Sequence, residues 1–525
     1  MTSAPVLPSY DDPVVAGAVQ AIGGAPGAHA LLGERRFWTP VRVLVALTLM
    51  TCLLGWLQKA PCRDGSTWVH EHQYTRACYT DVVALYSAEG LSDGKTPYYQ
   101  HPVEYPVVIG GVMDLSARLA DAVTGTSHGP NASYAEAIDR GKHFFDITWA
   151  LLTACALVVV VTTARLAGRR PWDAAMFALA PSLVLHGTTN WDLVAVALSG
   201  MALCAWASRR PVVAGVLLGI ATATKLYPVL FLIPVVLLCW RAQRLRQAAA
   251  LTLATLVAAV GVTLPVYLTA PSYADVDGVQ TKVLPSPWDR LGADGLSALR
   301  PTTCVAIENG RCTSKATNAV YRFFDLNTTR PADWDSLYLQ LQHLRTTNGH
   351  LKSLRNHLAD LVTDHGTTPK RLNSIVAVLE LVLVLGIGVL VLRAPRRPRL
   401  PQVLFLMVTG FLLVNKVDSP QYVLWLVPLA VLARPRWRPF LAWQAAEALV
   451  LLSRFYFFVA NDKPGQGIGI GWFFGAVLLR DALLLWLAAL VVREVLRPEL
   501  DVVRADDVDD PAGGVLDRAP DRLPA

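Results

Sequence analysis

Two carboxylates lie among tyrosines in the segment that follows the first strongly apolar stretch of the chain. Asp81 opens a short amphipathic stretch, and Glu104 stands next to Tyr105 further on. A carboxylate that its surroundings hold in place can act as a general base and take a proton from a hydroxyl group. Aspartate is also favoured at the N-cap of a helix, where it needs no catalytic role. The residues alone therefore leave two interpretations of Asp81 open, a base or a cap.

Three polar turns interrupt the apolar stretches later in the chain. They contain Asn190 and Asp192, then Lys225, and finally Lys416, Asp418 and Gln421. A cation at the hydrocarbon boundary is costly unless it is paired or functional, and phosphate is an anion that such a lysine can bind. Each lysine can instead reach lipid head groups or pair with a carboxylate such as Asp192 or Asp418. Together with Asp81 and Glu104, the two lysines favour a phosphate-binding site.

The elements that must position these residues are apolar helices. The chain has 525 residues, of which 53% are hydrophobic and 17% charged, and its mean hydropathy is +0.38. This is more apolar surface than one soluble core needs. Residues 41–57, 144–166, 372–392 and 471–492 form runs close to the length of a bilayer-spanning helix. With the shorter runs between them, the pattern predicts an all-α polytopic membrane protein with about twelve transmembrane helices.

The net charge of +7 comes from arginine clusters in short turns, so it does not indicate a nucleic-acid partner. These clusters include Arg169/Arg170, Arg209/Arg210, Arg241/Arg244/Arg246, Arg396/Arg397/Arg399 and Arg434/Arg436/Arg438. The positive-inside rule places all of these turns in the cytoplasm. Lys225 and Lys416 then lie on the outer side, provided that residues 107–123 form a helix on the membrane surface and not a span.

This topology gives a membrane domain of residues 41–495 with two long outer loops, residues 59–142 and 270–371. Cys62 and Cys78 lie in the first loop, and Cys304 and Cys312 in the second. An oxidising outer compartment would allow each pair to form a disulfide. Metal binding is the lesser alternative, because the spacing is not that of a zinc site. Residues 1–40 and the acidic residues 496–525 are expected to be disordered cytoplasmic tails.

The remaining charged residues and motifs narrow the class of protein. The chain has no Walker loop, dinucleotide glycine fingerprint or HExxH motif, so we expect no nucleotide cofactor. An activated membrane lipid is then the expected energy source, since interfacial cations can stabilise its phosphate leaving group. Glu447 and Arg454 share one helical face and are expected to form a structural pair, whereas the adjacent Arg480 and Asp481 are expected to point apart.

The order and spacing of these motifs resemble glycosyltransferase family 87. The motifs are Cys78-Tyr79-Thr80-Asp81, Gly94-Lys95-Thr96-Pro97-Tyr98, Glu104-Tyr105-Pro106, Asn190-Trp191-Asp192, Lys225-Leu226-Tyr227-Pro228 and Asn415-Lys416-Val417-Asp418-Ser419-Pro420-Gln421-Tyr422. Members of the family look like polyprenyl-phosphate-mannose-dependent mannosyltransferases of actinobacteria with the GT-C membrane fold. The resemblance implies a first outer loop with interface helices and an acidic active-site residue where Asp81 stands.

The resemblance also implies a reaction, in which a sugar, mannose, passes with inversion from a polyprenyl-phosphate donor to a lipid or glycan acceptor. It makes Asp81 the base, and it makes Lys225 and Lys416 the cations that stabilise the donor phosphate. Glu104, Tyr105, Asn190, Asp192, Asp418 and Gln421 are then expected to bind the sugar and acceptor, with Tyr86 and Trp191 beside Tyr105 as a stacking wall. No metal is expected, and the second outer loop, which departs from the family pattern, is expected to select the acceptor.

A transporter or lipid flippase is the main alternative from another class of protein. Such a protein is typically built from internal repeats and carries charged residues near the middle of the membrane. The sequence shows no convincing repeat, and its polar motifs lie at the outer boundary of the predicted spans. The enzyme located in the cell membrane, with its active site outside, is therefore the favoured prediction.

Overall fold

The protein is described by a computed structural model that is largely helical. It describes residues 6–7, 11–22, 37–65, 68, 72–125, 133–276, 278–308, 311–345, 352–364, 368–463 and 465–521. Most of the predicted N-terminal tail, residues 1–5, 8–10 and 23–36, lies outside the described residues.

The described residues in the first third of the chain form six α-helices. They are α1 (Pro13–Ala21), α2 (Pro40–Lys59), α3 (His72–Thr75), α4 (Asp81–Ala88), α5 (Val107–Thr124) and α6 (Tyr134–Leu166). Pro40 occupies the first turn of α2, and Thr39 caps it by accepting a hydrogen bond from the backbone of Arg42. Ser133 and Glu136 form a capping box at the start of α6.

The middle of the chain forms a second set of helices that pack on α6. They are α7 (Ala175–Ala178), α8 (Pro181–His186), α9 (Asp192–Ala207), α10 (Pro211–Thr222), α11 (Leu232–Arg241) and α12 (Leu245–Thr269). Gly215 and Gly219 lie one turn apart on α10, directly against backbone carbonyls of α12. Any side chain there would collide with α12, so the two glycines allow the close contact that small residues provide between membrane helices.

The second outer loop contains a four-stranded antiparallel sheet, in contrast to the predicted all-α fold. Its strands are β1 (Ser272–Val276), β2 (Val279–Leu284), β3 (Thr302–Glu308) and β4 (Arg311–Asn318), in the order β2-β1-β4-β3. A disulfide between Cys304 and Cys312 joins β3 to β4, and another between Cys62 and Cys78 closes a turn of the first loop. The loop also forms four helices, α13 (Pro287–Asp294), α14 (Arg322–Thr329), α15 (Leu337–Gln342) and α16 (Lys352–Val362).

The last part of the chain returns to long helices. They are α17 (Lys370–Arg393), α18 (Leu400–Val414), α19 (Val423–Ala433), α20 (Trp437–Asp462) and α21 (Ile470–Leu496). The core lies where α18 and α19 pack against α6, α9 and α11. Almost every residue of α18 and α19 is buried, so these two helices are the centre of the protein and not its lipid-facing surface.

Five of the described helices are long and apolar enough to cross a membrane. They are Pro40–Cys62, Tyr134–Leu166, Leu245–Thr269, Lys370–Arg393 and Ile470–Leu496. Shorter apolar helices are Asp192–Ala207, Pro211–Thr222, Tyr227–Arg241, Leu400–Val414 and Pro420–Ala433. The chain is thus a multi-pass membrane protein, while the figure of about twelve spans stays a prediction. The helix α5, which coincides with the predicted interface helix, is not among the described helices that suit a span.

The acidic C-terminal segment, for which the sequence predicts a disordered tail, contains short helices and ion pairs in its described residues 496–521. Short 3₁₀ helices form at Pro498–Leu500, Val502–Asp507 and Gly514–Leu516. Arg399 Nε donates to Asp501 Oδ2 at 2.6 Å, and both side chains are 1% exposed. Similar ion pairs join Arg397 to Asp509 and Arg241 to Asp521. The segment therefore neutralises arginines whose burial would otherwise be costly.

The N-terminal segment is also attached to the arginine-rich turns where it is described. Asp12 caps α1, and its carboxylate also accepts a hydrogen bond from the backbone of Trp437 at 3.0 Å. Arg170 Nη1 donates to the neighbouring Asp11 at 2.6 Å. Both termini thus contact one end of the helix bundle, which we call the arginine end because Arg170, Arg241, Arg397 and Arg399 lie there.

Candidate active site

Asp81 stands at the first position of α4 and is not the N-cap. The preceding residue, Thr80, takes that role, because its hydroxyl accepts a hydrogen bond from the backbone N–H of Val82. The same hydroxyl donates to the carbonyl of Thr188 at 2.7 Å, and the backbone N–H of Asp81 donates to Thr189 at 2.8 Å. The start of α4 is thereby fixed to the turn before α9. Of the two interpretations drawn from the sequence, the cap is wrong.

The carboxylate of Asp81 accepts hydrogen bonds from two amides that are distant in sequence. Asn190 Nδ2 donates to Oδ2 at 2.9 Å, and Gln421 Nε2 lies 3.4 Å from the same oxygen. Asn190 precedes α9 and Gln421 precedes α19, so two buried helices hold the carboxylate from one side. Tyr79 also forms a side-chain hydrogen bond with this carboxylate. A carboxylate held in this way can accept a proton from a hydroxyl group in a defined direction.

Tyr105 extends the network around Asn190. Asn190 Nδ2 lies 2.6 Å from the Tyr105 hydroxyl, and the ring of Tyr105 packs edge-on against Trp191 at 5.9 Å. Burial, followed by the charge of Asp81, raises the pKa of Tyr105 well above its usual value. The phenol therefore keeps its proton and can donate a hydrogen bond to a ligand.

Lys225 lies close to these residues and is paired with Asp192. Its Nζ is 3.3 Å from Asp192 Oδ1, and the same oxygen accepts a hydrogen bond from Trp425 at 2.7 Å. The ammonium group also lies 5.2 Å from the ring centre of Tyr105 and 5.4 Å from that of Tyr422. The structure thus shows the carboxylate pairing that the sequence left open. The ammonium group is therefore stabilised by one carboxylate and by two aromatic rings.

Glu104 pairs with an arginine that the sequence did not single out. Arg330 follows α14 in the second outer loop, and its Nη2 donates to Glu104 Oε2 at 2.6 Å. Burial raises the pKa of Glu104 and Arg330 lowers it, while the charges of Glu89 and Asp81 raise it further. The net shift is upward, so this carboxyl group takes up a proton more readily than an exposed glutamate.

Lys416 and Asp418 have partners away from Asp81. Lys416 Nζ donates to the backbone carbonyl of Arg330 at 2.7 Å, and Asp418 forms an ion pair with Arg480 at 2.8 Å. Burial is the largest cause of the strongly raised pKa of Asp418. Neither residue lines the cavities at Asp81 in the described part of the chain. This geometry therefore does not support direct contact of Lys416 or Asp418 with a substrate.

Two further expectations about side chains are corrected by the structure. Arg454 pairs with Asp335 at 2.9 Å and not with Glu447. The adjacent Arg480 and Asp481 do not point apart but form an ion pair at 2.6 Å. Helical spacing alone missed both outcomes, because Asp335 arrives from the second outer loop.

The predicted stacking wall is also only partly formed. Trp191 is fully buried, and Tyr86 stacks on Phe144 at 4.4 Å between ring centres. Among the described residues, neither lines a cavity that contains Asp81. Only Tyr105 keeps the position that the stacking role requires.

Asp81 lies between two cavities and lines both of them. Four other residues also line both cavities: Tyr79, Ser419, Gln421 and Arg454. The first, of about 420 Å³, is lined by the rings of Tyr74, Phe455 and Phe458 and is called the aromatic cavity below. The second, of about 360 Å³, is lined by Glu104, Tyr105, Lys225, Arg330 and Asp333 and is called the charged cavity. A base between two cavities can act on a group in one while a second molecule occupies the other.

Sequence reasoning missed several residues of these cavities. Arg330 and Asp333 lie in a loop that contains many other charged residues, so nothing in their spacing marked them. Arg454 carried a signal, a charge inside an apolar helix, but its partner was assigned wrongly. His186 is fully buried at the aromatic cavity, and neither ring nitrogen has a hydrogen-bond partner among the described residues. In the same described part of the chain, no three His, Cys, Asp or Glu side chains converge as metal ligands would.

The helical membrane fold and the carboxylate between two cavities are compatible with an enzyme that transfers a group between two bound molecules. Residues 144–293 match the family model of glycosyltransferase family 87. The resemblance drawn from the motifs is thereby confirmed, and it supports a glycosyltransferase. The matched segment includes Asn190, Asp192 and Lys225, whereas Asp81 and Gln421 lie outside it.

Solved structures similar to the chain include that of ArnT from Cupriavidus metallidurans bound to undecaprenyl phosphate, with 11% sequence identity and a TM-score of 0.38. The similarity covers 87% of this chain and 78% of that one. No curated protein matches the chain.

Proposed function

We propose that the protein transfers a sugar, mannose, from a polyprenyl-phosphate donor to a lipid or glycan acceptor. The reaction takes place on the outer face of the cell membrane and inverts the configuration of the sugar. The observation that carries the proposal is the position of Asp81 between the aromatic cavity and the charged cavity. The family match over residues 144–293 supports the same class of reaction.

In the proposed step, Asp81 takes the proton from an acceptor hydroxyl group. The hydroxyl oxygen forms a bond to the anomeric carbon of the donor sugar as the bond from that carbon to the phosphate oxygen breaks. Polyprenyl phosphate leaves with the bonding electrons and gains negative charge. Asn190 and Gln421 hold the carboxylate of Asp81 in place during the step, and such positioning is a large part of enzymatic rate enhancement.

We assign the donor phosphate to the charged cavity and the acceptor to the aromatic cavity. Lys225 and Arg330 both line the charged cavity, where they stabilise charge that develops on the leaving phosphate. Tyr74, Phe455 and Phe458 give the aromatic cavity ring faces and edges, which suit the apolar face of a sugar or the start of a lipid chain.

The other predicted residues divide by their partners. Glu104, Tyr105 and Asn190 lie near enough to the charged cavity or to Asp81 to bind sugar hydroxyl groups. Asp192 and Asp418 are fully or nearly fully buried and paired with cations, so we assign them to charge compensation. Lys416 supports the backbone at Arg330.

The experiment is transfer of radiolabelled sugar from polyprenyl-phosphate-mannose in membranes that contain the wild-type protein or Asp81→Asn. We expect the substitution to lower transfer at least about 100-fold, because it removes the base and keeps the shape of the side chain. Asp93→Asn is the matched control, since this carboxylate lies in the same loop and pairs with Lys95. Its transfer rate is expected to equal that of the wild type.

Two results would contradict the proposal. Full activity of Asp81→Asn would move the base elsewhere, and Glu104 would be the next candidate. Absence of transfer by the wild type with several lipid-linked donors and acceptors would favour the transporter or flippase.

A further inference from the structure

Three cations line the charged cavity, and they are held to different degrees. Lys225 is buried between two tyrosine rings and paired with the fully buried Asp192. Arg454 is paired with the fully buried Asp335. The side chain of Arg330, by contrast, is 41% exposed, and its carboxylate partner Glu104 is 27% exposed. Partly exposed ion pairs are weak. The ion pair of Arg330 is therefore the one that a ligand can break at the lowest cost in free energy.

The backbone of Arg330 is fixed, although its side chain is not buried. Lys416 Nζ donates to the Arg330 carbonyl at 2.7 Å, and the backbone N–H of Asp333 donates to the Lys416 carbonyl at 2.9 Å. These two bonds join the segment after α14 to the turn before α19. The guanidinium group thus starts from a defined position on the wall of the charged cavity.

We infer that Arg330 binds the phosphate of the donor lipid. Until the donor binds, Glu104 holds the guanidinium group of Arg330 in an ion pair. This inference rests on the proposed function, because that function supplies the phosphate. A guanidinium group presents paired N–H donors that fit carboxylate and phosphate oxygens equally well in geometry. The more highly charged phosphate replaces the carboxylate, and the ion pair across the two outer loops opens.

Glu104 has a second role after Arg330 has bound the phosphate. While Arg330 is bound to it, the arginine lowers the pKa of Glu104 against the upward effect of burial. When Arg330 binds the phosphate instead, Glu104 loses the larger of the two cationic effects that lower its pKa, and only the smaller one of Arg322 remains. The carboxyl group then takes up a proton more readily. A protonated Glu104 no longer repels the phosphate and can donate a hydrogen bond to the donor sugar.

The test is binding of undecaprenyl phosphate, and of neutral undecaprenol, to the full-length protein in lipid nanodiscs. Arg330→Ala is expected to weaken binding of the phosphate lipid at least about tenfold, and Arg330→Lys by less. Glu104→Gln is expected to tighten it about two- to fivefold by freeing Arg330. None of these three substitutions should change the binding of undecaprenol. Arg345→Ala and Asp360→Asn are matched controls, since Arg345 and Asp360 form an exposed pair in the same outer loop outside the cavities.

The double variant Arg330→Ala/Glu104→Gln distinguishes two effects of Glu104. One is its ion pair with Arg330, which the phosphate replaces; the other is direct repulsion between its charge and the phosphate. If Glu104 acts by holding Arg330, its substitution brings no gain once Arg330 is absent. An equal gain in both backgrounds overturns the exchange. Weaker binding by Glu104→Gln, with normal elution of the protein as a single folded species, identifies the pair as a structural link and also overturns it.

The same measurement distinguishes failure of this inference from failure of the proposed function. If the wild type binds undecaprenyl phosphate and undecaprenol equally, a phosphate-bearing donor is contradicted. If the wild type prefers the phosphate lipid and Arg330→Ala keeps that preference, only the role of Arg330 is contradicted.

Discussion

The most instructive side chain at the residue scale is Lys225, because its ion pair serves structure and its position serves binding. Asp192 is fully buried beside it, and a buried carboxylate that loses its paired cation destabilises a protein strongly. Loss of activity after substitution of Lys225 alone would therefore not show that the lysine contacts a substrate.

A paired substitution resolves this ambiguity. Lys225→Met is expected to lower the free energy of unfolding by about 3–5 kcal/mol, whereas Lys225→Met/Asp192→Asn regains most of that loss because no charge remains unpaired. Sugar transfer is expected to stay low in both variants. The measurements are thermal unfolding in detergent and the transfer rate per folded protein. Recovery of transfer in the double variant would show that Lys225 has only a structural role.

At the scale of single elements, the sequence predicted the helices around the site better than the contacts between them. The turns with Asn190 and Gln421 were recognised, and both donate to the carboxylate of Asp81. The neighbouring residues Thr80 and Asp81 are both good N-caps. The sequence could not decide between them, because the choice depends on where the turn before α9 fixes the chain. Arg330 and Asp335 were missed because their partners lie on distant segments.

The second outer loop shows a different limit. A search for apolar runs finds spans, but strands β1 to β4 are only five to eight residues long and mix polar with apolar residues. Their pairing places Ser272 opposite Asn318, and Tyr273 opposite Thr317. Contacts at this sequence distance leave no local periodicity, so the sheet could not be read from the chain alone.

The C-terminal segment gives a prediction at the same scale. Asp501→Asn is expected to lower the free energy of unfolding by about 3–5 kcal/mol, because Arg399 would remain buried with a neutral partner. Glu499→Gln is the matched control, since Glu499 is exposed two positions away and surface substitutions of this kind change stability little. Thermal unfolding of both variants in the same detergent provides the measurement. Equal unfolding temperatures would mean that the segment is dispensable for stability.

At the scale of the whole molecule, the helices separate two polar ends. The helix α9 starts at Asp192, beside Lys225, and ends next to Arg209 and Arg210. The helix α18 starts after Arg399 and ends before Lys416. The helices thus run from the arginine end to the end that carries Asp81. The positive-inside rule predicts that the arginine end lies in the cytoplasm.

Single cysteines test this orientation. Ser297→Cys lies on the exposed surface of the second outer loop, and Ser208→Cys is exposed at the arginine end. In intact cells, a membrane-impermeant maleimide is expected to label position 297 and not position 208, while permeabilised cells label both. The wild type gives the background from its native cysteines. Labelling of position 208 in intact cells would reverse the topology and contradict the proposed outer active site.

The ion pairs of the C-terminal segment have a consequence for how the chain is made. Arg399 and Asp501 are 102 positions apart, so a ribosome adding 5–20 residues each second reaches the aspartate roughly 5–20 s after the arginine. During that interval Arg241, Arg397 and Arg399 lack their partners from the acidic segment, while the helices between them enter the bilayer. If the positive-inside prediction holds, these arginines orient the nascent protein first and are neutralised only afterwards, when the acidic segment emerges and pairs with them.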